Sequence, residues 1–140
     1  MNNVQKNGKR HQSKVTATPF SDKELEYFKQ LILEKRQEAT EEIERLQAQL
    51  STRENETAEG DSPYSFHMAD AASDSTDRER AYMMIERQKK LIGYLDRALE
   101  RIYNKTYGIC RVTGKPINKE RLEAIPHTEI SIEAKLQSKR

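Results

Sequence analysis

Cys110, Thr113, Ser131 and Ala134 occupy a frame of two x2-spaced pairs with 17 residues between the pairs. Cysteine pairs separated by roughly 15–20 residues are the spacing of a four-cysteine zinc site. The chemistry that spacing serves is a tetrahedral cage of N, S or O donors about 2.0–2.3 Å from the metal. Here the frame carries one thiol, two hydroxyls and a methyl group. The sequence therefore predicts a module laid out on a metal-binding plan that folds without zinc or any other cofactor. Cys110 is the chain's one cysteine, so it forms no internal disulfide, and it reads as a small, half-buried remnant of the plan. His127 could add one nitrogen donor, but His11 and His67 are far from it in sequence.

A second chemically able stretch runs His67-Met68-Ala69-Asp70-Ala71-Ala72-Ser73-Asp74, with Asp77 beyond it. Carboxylates at 70, 74 and 77 share a helical face and could meet Mg²⁺, a hard cation that favours oxygen. Alone they make an open, weak site. They also suit the first turns of a helix, where the positive end of the dipole favours acids, and Asp70 reads as a cap. His67 brings a group that titrates near 6.5 when unperturbed. No nucleophile–base pair, Gly-rich phosphate loop or helical His-x3-His accompanies them. The chain is expected to act by binding, not as an enzyme.

The elements that must position these residues are long helices. Ser21-Asp22-Lys23-Glu24 is a capping box, in which side chains and amides of the first and fourth residues satisfy one another. Leu25, Phe28, Ile32, Ala39, Ile43, Leu46 and Leu50 follow at spacings of 3, 4, 7, 4, 3 and 4, one helical stripe. This predicts a helix over about 22–57. Gly60 and Pro63 interrupt it, so 58–69 is a turn region. A second helix runs from near Asp70 to about Lys105, its seam Ile85, Gln88, Ile92, Leu95, Leu99 and Ile102 alternating spacings of 3 and 4. Each helix has only a narrow apolar stripe and needs the other, which predicts a long antiparallel helical hairpin, a coiled coil and a monomer. A parallel dimer would not carry a breaker pair at its midpoint.

After Thr106 the pattern changes. Gly108, Gly114 and Pro116 set turns, 119–124 is a helical turn, and 131–139 is a terminal helix. Ile109, Val112, Ile117, Leu122, Ile125, Ile130, Ile132 and Leu136 are the expected miniature core, leaning on the hairpin through Leu99, Ile102 and Tyr103. The predicted organisation is a disordered basic tail over 1–20, the hairpin over 21–106 with its tip at about 58–76, and a degenerate zinc-finger-like module with a C-terminal helix over 107–140.

Composition sets limits on this picture. Of 140 residues, 34% are hydrophobic and 34% charged, with no Trp, so a mainly α chain with narrow seams is favoured over a large spherical core. No apolar run approaches the roughly 18 residues of a membrane span, which predicts a cytoplasmic protein without a membrane partner. The net charge of +2 conceals segregation. Residues 1–20 carry four Lys/Arg and no acid, 54–77 carry seven Asp/Glu and no Lys or Arg, and 101–140 carry nine Lys/Arg against four acids. Such polarity suggests that the two ends meet different partners.

Taken together, Tyr107-Gly108-x-Cys110, Gly114, Arg121-Leu122-Glu123-Ala124-x-Pro126 and Ile130–Lys135 resemble the C-terminal finger of the DksA/TraR family of bacterial transcription regulators, including its zinc-less members. The stretch 67–74 resembles the family's tip signature Asp-x-x-Asp-x-Ala, with Asp70 on the second Asp, Ala72 on the Ala, and His67 in place of the first Asp. The resemblance implies RNA polymerase as partner. The hairpin would enter its secondary channel, and the tip carboxylate would work near the active site, with Asp74 and Asp77 sharpening the negative field. Direct DNA binding is not expected, since the finger has no helix arrayed with base-reading side chains. An alternative is a structural or adaptor coiled coil that keeps the fold without polymerase binding.

Overall fold

The computed structural model describes residues 17–58 and 68–138, the backbone alone over 53–58 and 68–73. Four helices follow in order: α1 (Asp22–Ala58), α2 (Met68–Tyr103), α3 (Lys119–Ala124) and α4 (Ile132–Ser138). Helix α1 starts on its capping box. The Ser21 amide donates to Glu24 Oε1 at 2.9 Å and the Glu24 amide donates to Ser21 Oγ at 3.2 Å. Asp22, at the start of α1, pairs with Lys105, just past the end of α2. Leu46 and Leu50, late in α1, meet Ala81 and Ile85, early in α2. The two helices are therefore antiparallel, as their seams predict. Residues 59–67, which hold the expected turn with Gly60, Pro63 and His67, lie outside the described residues.

The chain forms two compact units. In the unit over 36–93, Leu46, Leu50, Ala81 and Ile85 form the core, with Ile43 and Met84 packed on it. Ile43, Leu46, Leu50 and Ile85 are positions of the two stripes, so burial follows the helical period, and Ala81 extends the second stripe one turn back from Ile85. Each large side chain removed from water stabilises by about 1.5–3 kcal/mol.

Among the described residues, the other unit joins residues 17–35 with 94–138. Phe28, Ile32, Leu95, Tyr107, Leu122, Pro126 and Cys110 are its fully buried side chains. After α2 the chain turns at Lys105 (φ 63°) and Gly108 (φ 89°). It then makes a short antiparallel bridge between Ile109 and Pro116. Asn118 caps α3, its side chain accepting from the Glu120 amide at 2.8 Å.

The expected miniature core needs correcting. Ile117 and Leu122 are buried, but Val112, Ile132 and Leu136 are 61%, 51% and 60% exposed. In α4 the inward residue is Ala134, 4% exposed. Residues two positions either side of it point to the opposite helix face. Tyr103, expected to support the finger, is 85% exposed. Leu99, Ile102 and Tyr103 instead line a groove with Leu25 and Leu33 of α1. Tyr107 takes the supporting role, its ring centroid 5.3 Å from that of Phe28. Residues 17–20, placed in the tail from sequence, are seated on this unit. The Thr18 amide donates to the Lys105 carbonyl at 2.9 Å and its hydroxyl to the Tyr107 carbonyl at 2.6 Å.

Candidate functional site

The finger gathers the frame positions around one sulfur. Cys110 lies on a tight turn. Its amide donates to the Lys115 carbonyl at 2.8 Å and its carbonyl accepts from the Gly114 amide at 2.8 Å. Gly114 holds φ 74°, a left-handed conformation that suits a residue without Cβ. This turn points the sulfur inward, where it accepts from the Thr113 amide at 3.4 Å and the Ser131 amide at 3.3 Å. Ser131 Oγ accepts in turn from the Ala134 amide at 3.2 Å and so caps α4. Thr113 and Ser131 thus meet at the Cys110 sulfur, and Ala134 is joined to Ser131. Burial opposes ionisation of the Cys110 thiol. Hydrogen bonds from the Thr113 side chain and from the Ser131, Thr113 and Val112 amides outweigh it and lower its pKa from 9.0 to about 6.

Contacts that the sequence reading did not single out hold the finger on α2. Tyr107 is completely buried and its hydroxyl donates to the Pro126 carbonyl at 2.8 Å. Arg101 reaches from α2 to Glu129 Oε2 and to the His127 carbonyl, both at 3.3 Å. The His127 ring stacks on Tyr94 with centroids 5.8 Å apart and planes 12° from parallel. Its buried Nδ1 has no hydrogen-bond partner among the described residues. Burial, with Arg101 and Lys35 nearby, lowers the His127 pKa from 6.5. One local signal was available for Phe20, because an apolar residue just before a capping box commonly packs back on the helix. Its ring lies 5.2 Å from Phe28.

At the other candidate site, Met68 opens α2. Asp70 therefore falls in the first turn of the helix rather than just before it, and Ala72 lies one turn in. Their side chains, and His67 altogether, are outside what is described. Asp74 is half-buried and its carboxylate accepts from Arg78 Nη2 at 2.6 Å, an i,i+4 ion pair. Asp77 pairs with Arg80 at 3.5 Å. The negative field expected from these two acids is in part neutralised by arginines one turn on.

Comparison with known proteins fits this geometry. Residues 105–136 match the model of the prokaryotic dksA/traR C4-type zinc finger. The match corrects the expectation of a module without zinc, since the segment falls in a finger type defined by four metal-binding cysteines. The residues present do not fit a four-thiolate cage. Cys110 supplies one thiol, Ala134 supplies no donor atom, and Thr113 and Ser131 turn amides toward the sulfur. Among the described residues no three His, Cys, Asp or Glu side chains gather where they could hold a metal.

The RNA polymerase-binding transcription factor DksA of Caulobacter vibrioides is 37% identical over 123 residues, covering 87% of this chain and 81% of that protein. General stress protein 16O of Bacillus subtilis is 40% identical over 68 residues, 49% of this chain and 42% of that one. The structure of transcription factor DksA2 from Pseudomonas aeruginosa superposes with a TM-score of 0.67 at 35% identity, covering 82% of each chain. With identity at this level running along most of both chains, and the finger matched in its own right, the chain belongs to the DksA/TraR family.

Proposed function

We propose that this chain is a transcription regulator that binds bacterial RNA polymerase, with its helical hairpin entering the secondary channel and the start of α2 working near the active site. The observation that carries the reading is the 37% identity over 87% of the chain to a protein named for binding RNA polymerase. The action is binding rather than catalysis, in the cytoplasm where transcription takes place. No helix among the described residues is long and apolar enough to cross a membrane.

In this reading each part has one task. The finger and the helix ends beside it dock on the polymerase and supply most of the affinity. Asp70, in the first turn of α2 with Ala72 behind it, carries the charge that perturbs the active-site region or the open complex. His67, in place of a carboxylate, weakens the negative charge there. Asp74, held by Arg78, orders the first turns of α2. Cys110, Thr113 and Ser131 keep the two halves of the finger in register through the sulfur.

Two experiments test this. Purified protein should co-purify with core RNA polymerase, and removal of residues 58–76 should leave a binding but inactive variant. Asp70→Asn should abolish the effect on initiation in a purified transcription assay with affinity retained. Losing the first-turn charge should cost at most about 1 kcal/mol of stability. If Asp70→Asn regulates as well as the parent, the tip carboxylate is only a helix-end charge. Failure of the parent to bind polymerase would overturn the reading.

A further inference from the structure

Residues 17–20 form a strap across the finger, and one hydroxyl fastens it. The Thr18 hydroxyl donates to the Tyr107 carbonyl at 2.6 Å and accepts from the Phe20 amide at 3.3 Å. The Thr18 amide donates to the Lys105 carbonyl at 2.9 Å. The Phe20 ring completes the hold. It lies 5.2 Å from the Phe28 ring and 6.2 Å from that of Tyr107, in the space that a Cβ on Gly108 would enter. Other hydroxyls bond locally, Thr40 to Arg36, Thr106 to Arg101 and Ser138 to Lys135. The Thr18 bond to Tyr107 spans 89 positions, so removing this one proton unfastens two distant parts of the chain.

The strap is also open to a modifying enzyme. Ala17 and Pro19 are exposed, and Thr18 is half-buried between them. None of residues 17–21 is helical, and a Pro after Thr18 biases it toward extended backbone. Thr40, Ser51 and Thr52 instead lie inside α1, where a kinase would have to unwind the helix. A short segment held by few bonds opens locally at far less cost than the whole fold. Upstream of it lie Lys6, Lys9, Arg10 and Lys14 with no acid, charges that complement an acidic cleft. We propose that Thr18 is a phosphorylation site, modified by a protein kinase from ATP, and that the phosphoryl group releases the strap from the finger. In the transfer Thr18 Oγ1 bonds to the γ-phosphorus, the bond to the bridging oxygen breaks, and ADP leaves. The hydroxyl proton passes to the carboxylate base of the kinase. The product carries about −1.5 to −2 charge at pH 7 and offers acceptor oxygens only. It has no proton to give the Tyr107 carbonyl, and the 2.6 Å between the two oxygens leaves no room for a phosphoryl group. Phe20 then leaves its seat beside Gly108. The inference is independent of the polymerase reading, because it concerns only the hold of the strap on the finger.

The test uses the full chain and an extract of the cells it comes from. Extract with γ-labelled ATP should label the parent and Thr18→Ser and leave Thr18→Val unlabelled. An unlabelled parent, or equal label in Thr18→Val, would overturn the site. Ser21→Ala is the second control, since the Ser21 hydroxyl lies three residues on and caps α1. Label lost in Ser21→Ala but kept in Thr18→Val would place the modification on the helix cap and overturn the proposal. Release is read on the full chain prepared with phosphothreonine at position 18. Its Thr18 amide should exchange with solvent about tenfold faster or more than in the parent, each corrected for its intrinsic rate, as loss of the fastening bond beside an unpaired carbonyl implies. Magnetic-resonance contacts between the Phe20 and Phe28 rings should vanish, while exchange at Leu46 and Ile85 stays as in the parent. A phosphorylated chain that keeps the ring contacts and the parent's protection at Thr18 would refute the release.

Discussion

Tyr107→Phe should separate the packing of the finger from its hydrogen bonding. Tyr107 is completely buried, and its hydroxyl donates to the Pro126 carbonyl at 2.8 Å. The substitution keeps the ring between Phe28 at 5.3 Å and Phe20 at 6.2 Å, so the apolar contribution is unchanged. What it removes is one donor. A hydrogen bond of this kind contributes about 1 kcal/mol net, and an acceptor left buried without a partner costs about 1–3 kcal/mol. Pro126 is itself fully buried, so water cannot replace the phenol, and about 2 kcal/mol of destabilisation is expected. With a urea slope of about 1–3 kcal/mol per molar, the unfolding midpoint should fall by roughly 1 M. Tyr103→Phe is the internal control. Tyr103 is 85% exposed, and its change should stay within about 0.5 kcal/mol. Equal stability of Tyr107→Phe and the parent would refute the claim that this hydrogen bond fastens the finger.

Gly108→Ala should cost about 3 kcal/mol and Gly114→Ala about 1 kcal/mol in chemical denaturation. Both hold positive φ, but a Cβ on Gly108 would sit 2.5 Å from the Phe20 ring while one on Gly114 meets open space; equal costs would refute the contact. Leu95→Asp should cost about 4 kcal/mol or more, since Leu95 is completely buried and an unpaired charge would replace it. A helical signal that melts as in the parent would count against the seam. Stability should fall as pH drops below about 6.5, because the folded His127 pKa is lowered by burial and by Arg101 and Lys35. The neutral ring is the form the fold accepts, so the loss is absent above 6.5 and grows toward the folded value. His127→Gln should flatten the dependence between pH 7 and 5, and an unchanged slope would acquit His127.

The helices were legible because their signals are periodic and local. The capping box at Ser21–Glu24 fixed the start of α1 and is made as read. The seams placed Leu46, Leu50, Ile85 and Leu95 in the interior. The frame spacing brought Cys110 and Ser131 together across 21 positions. What was not legible is long-range and lies in side chains with two possible roles. Tyr107 looked like part of a turn motif and is the centre of the finger's packing. Arg101, which no sequence motif singled out, bonds two residues of the finger. Val112, Ile132 and Leu136 were assigned inward on hydrophobicity alone, although a small module has room for only some of its apolar side chains. The chemistry of the frame was misjudged because cysteine count was set above the likeness of the whole segment to a zinc finger.

The Thr18 hydroxyl bond to Tyr107 spans 89 positions of sequence, and that distance bears on the order of folding. Closing a flexible loop of that length carries a length-dependent entropy cost of about 4 kcal/mol, more than two hydrogen bonds return. Thr18 and Phe20 therefore cannot hold the finger early, while the intervening chain is slack. Once α1 and α2 have paired antiparallel, the chain at Lys105 is already beside Asp22, and most of that entropy has been lost to the helices. The strap then closes at little further cost. The hairpin is the scaffold on which the finger is sealed, and the seal is a late event. During synthesis the start of the chain must wait for its end, and a product cut off within α2 would leave Phe20 and Phe28 without the ring they pack against.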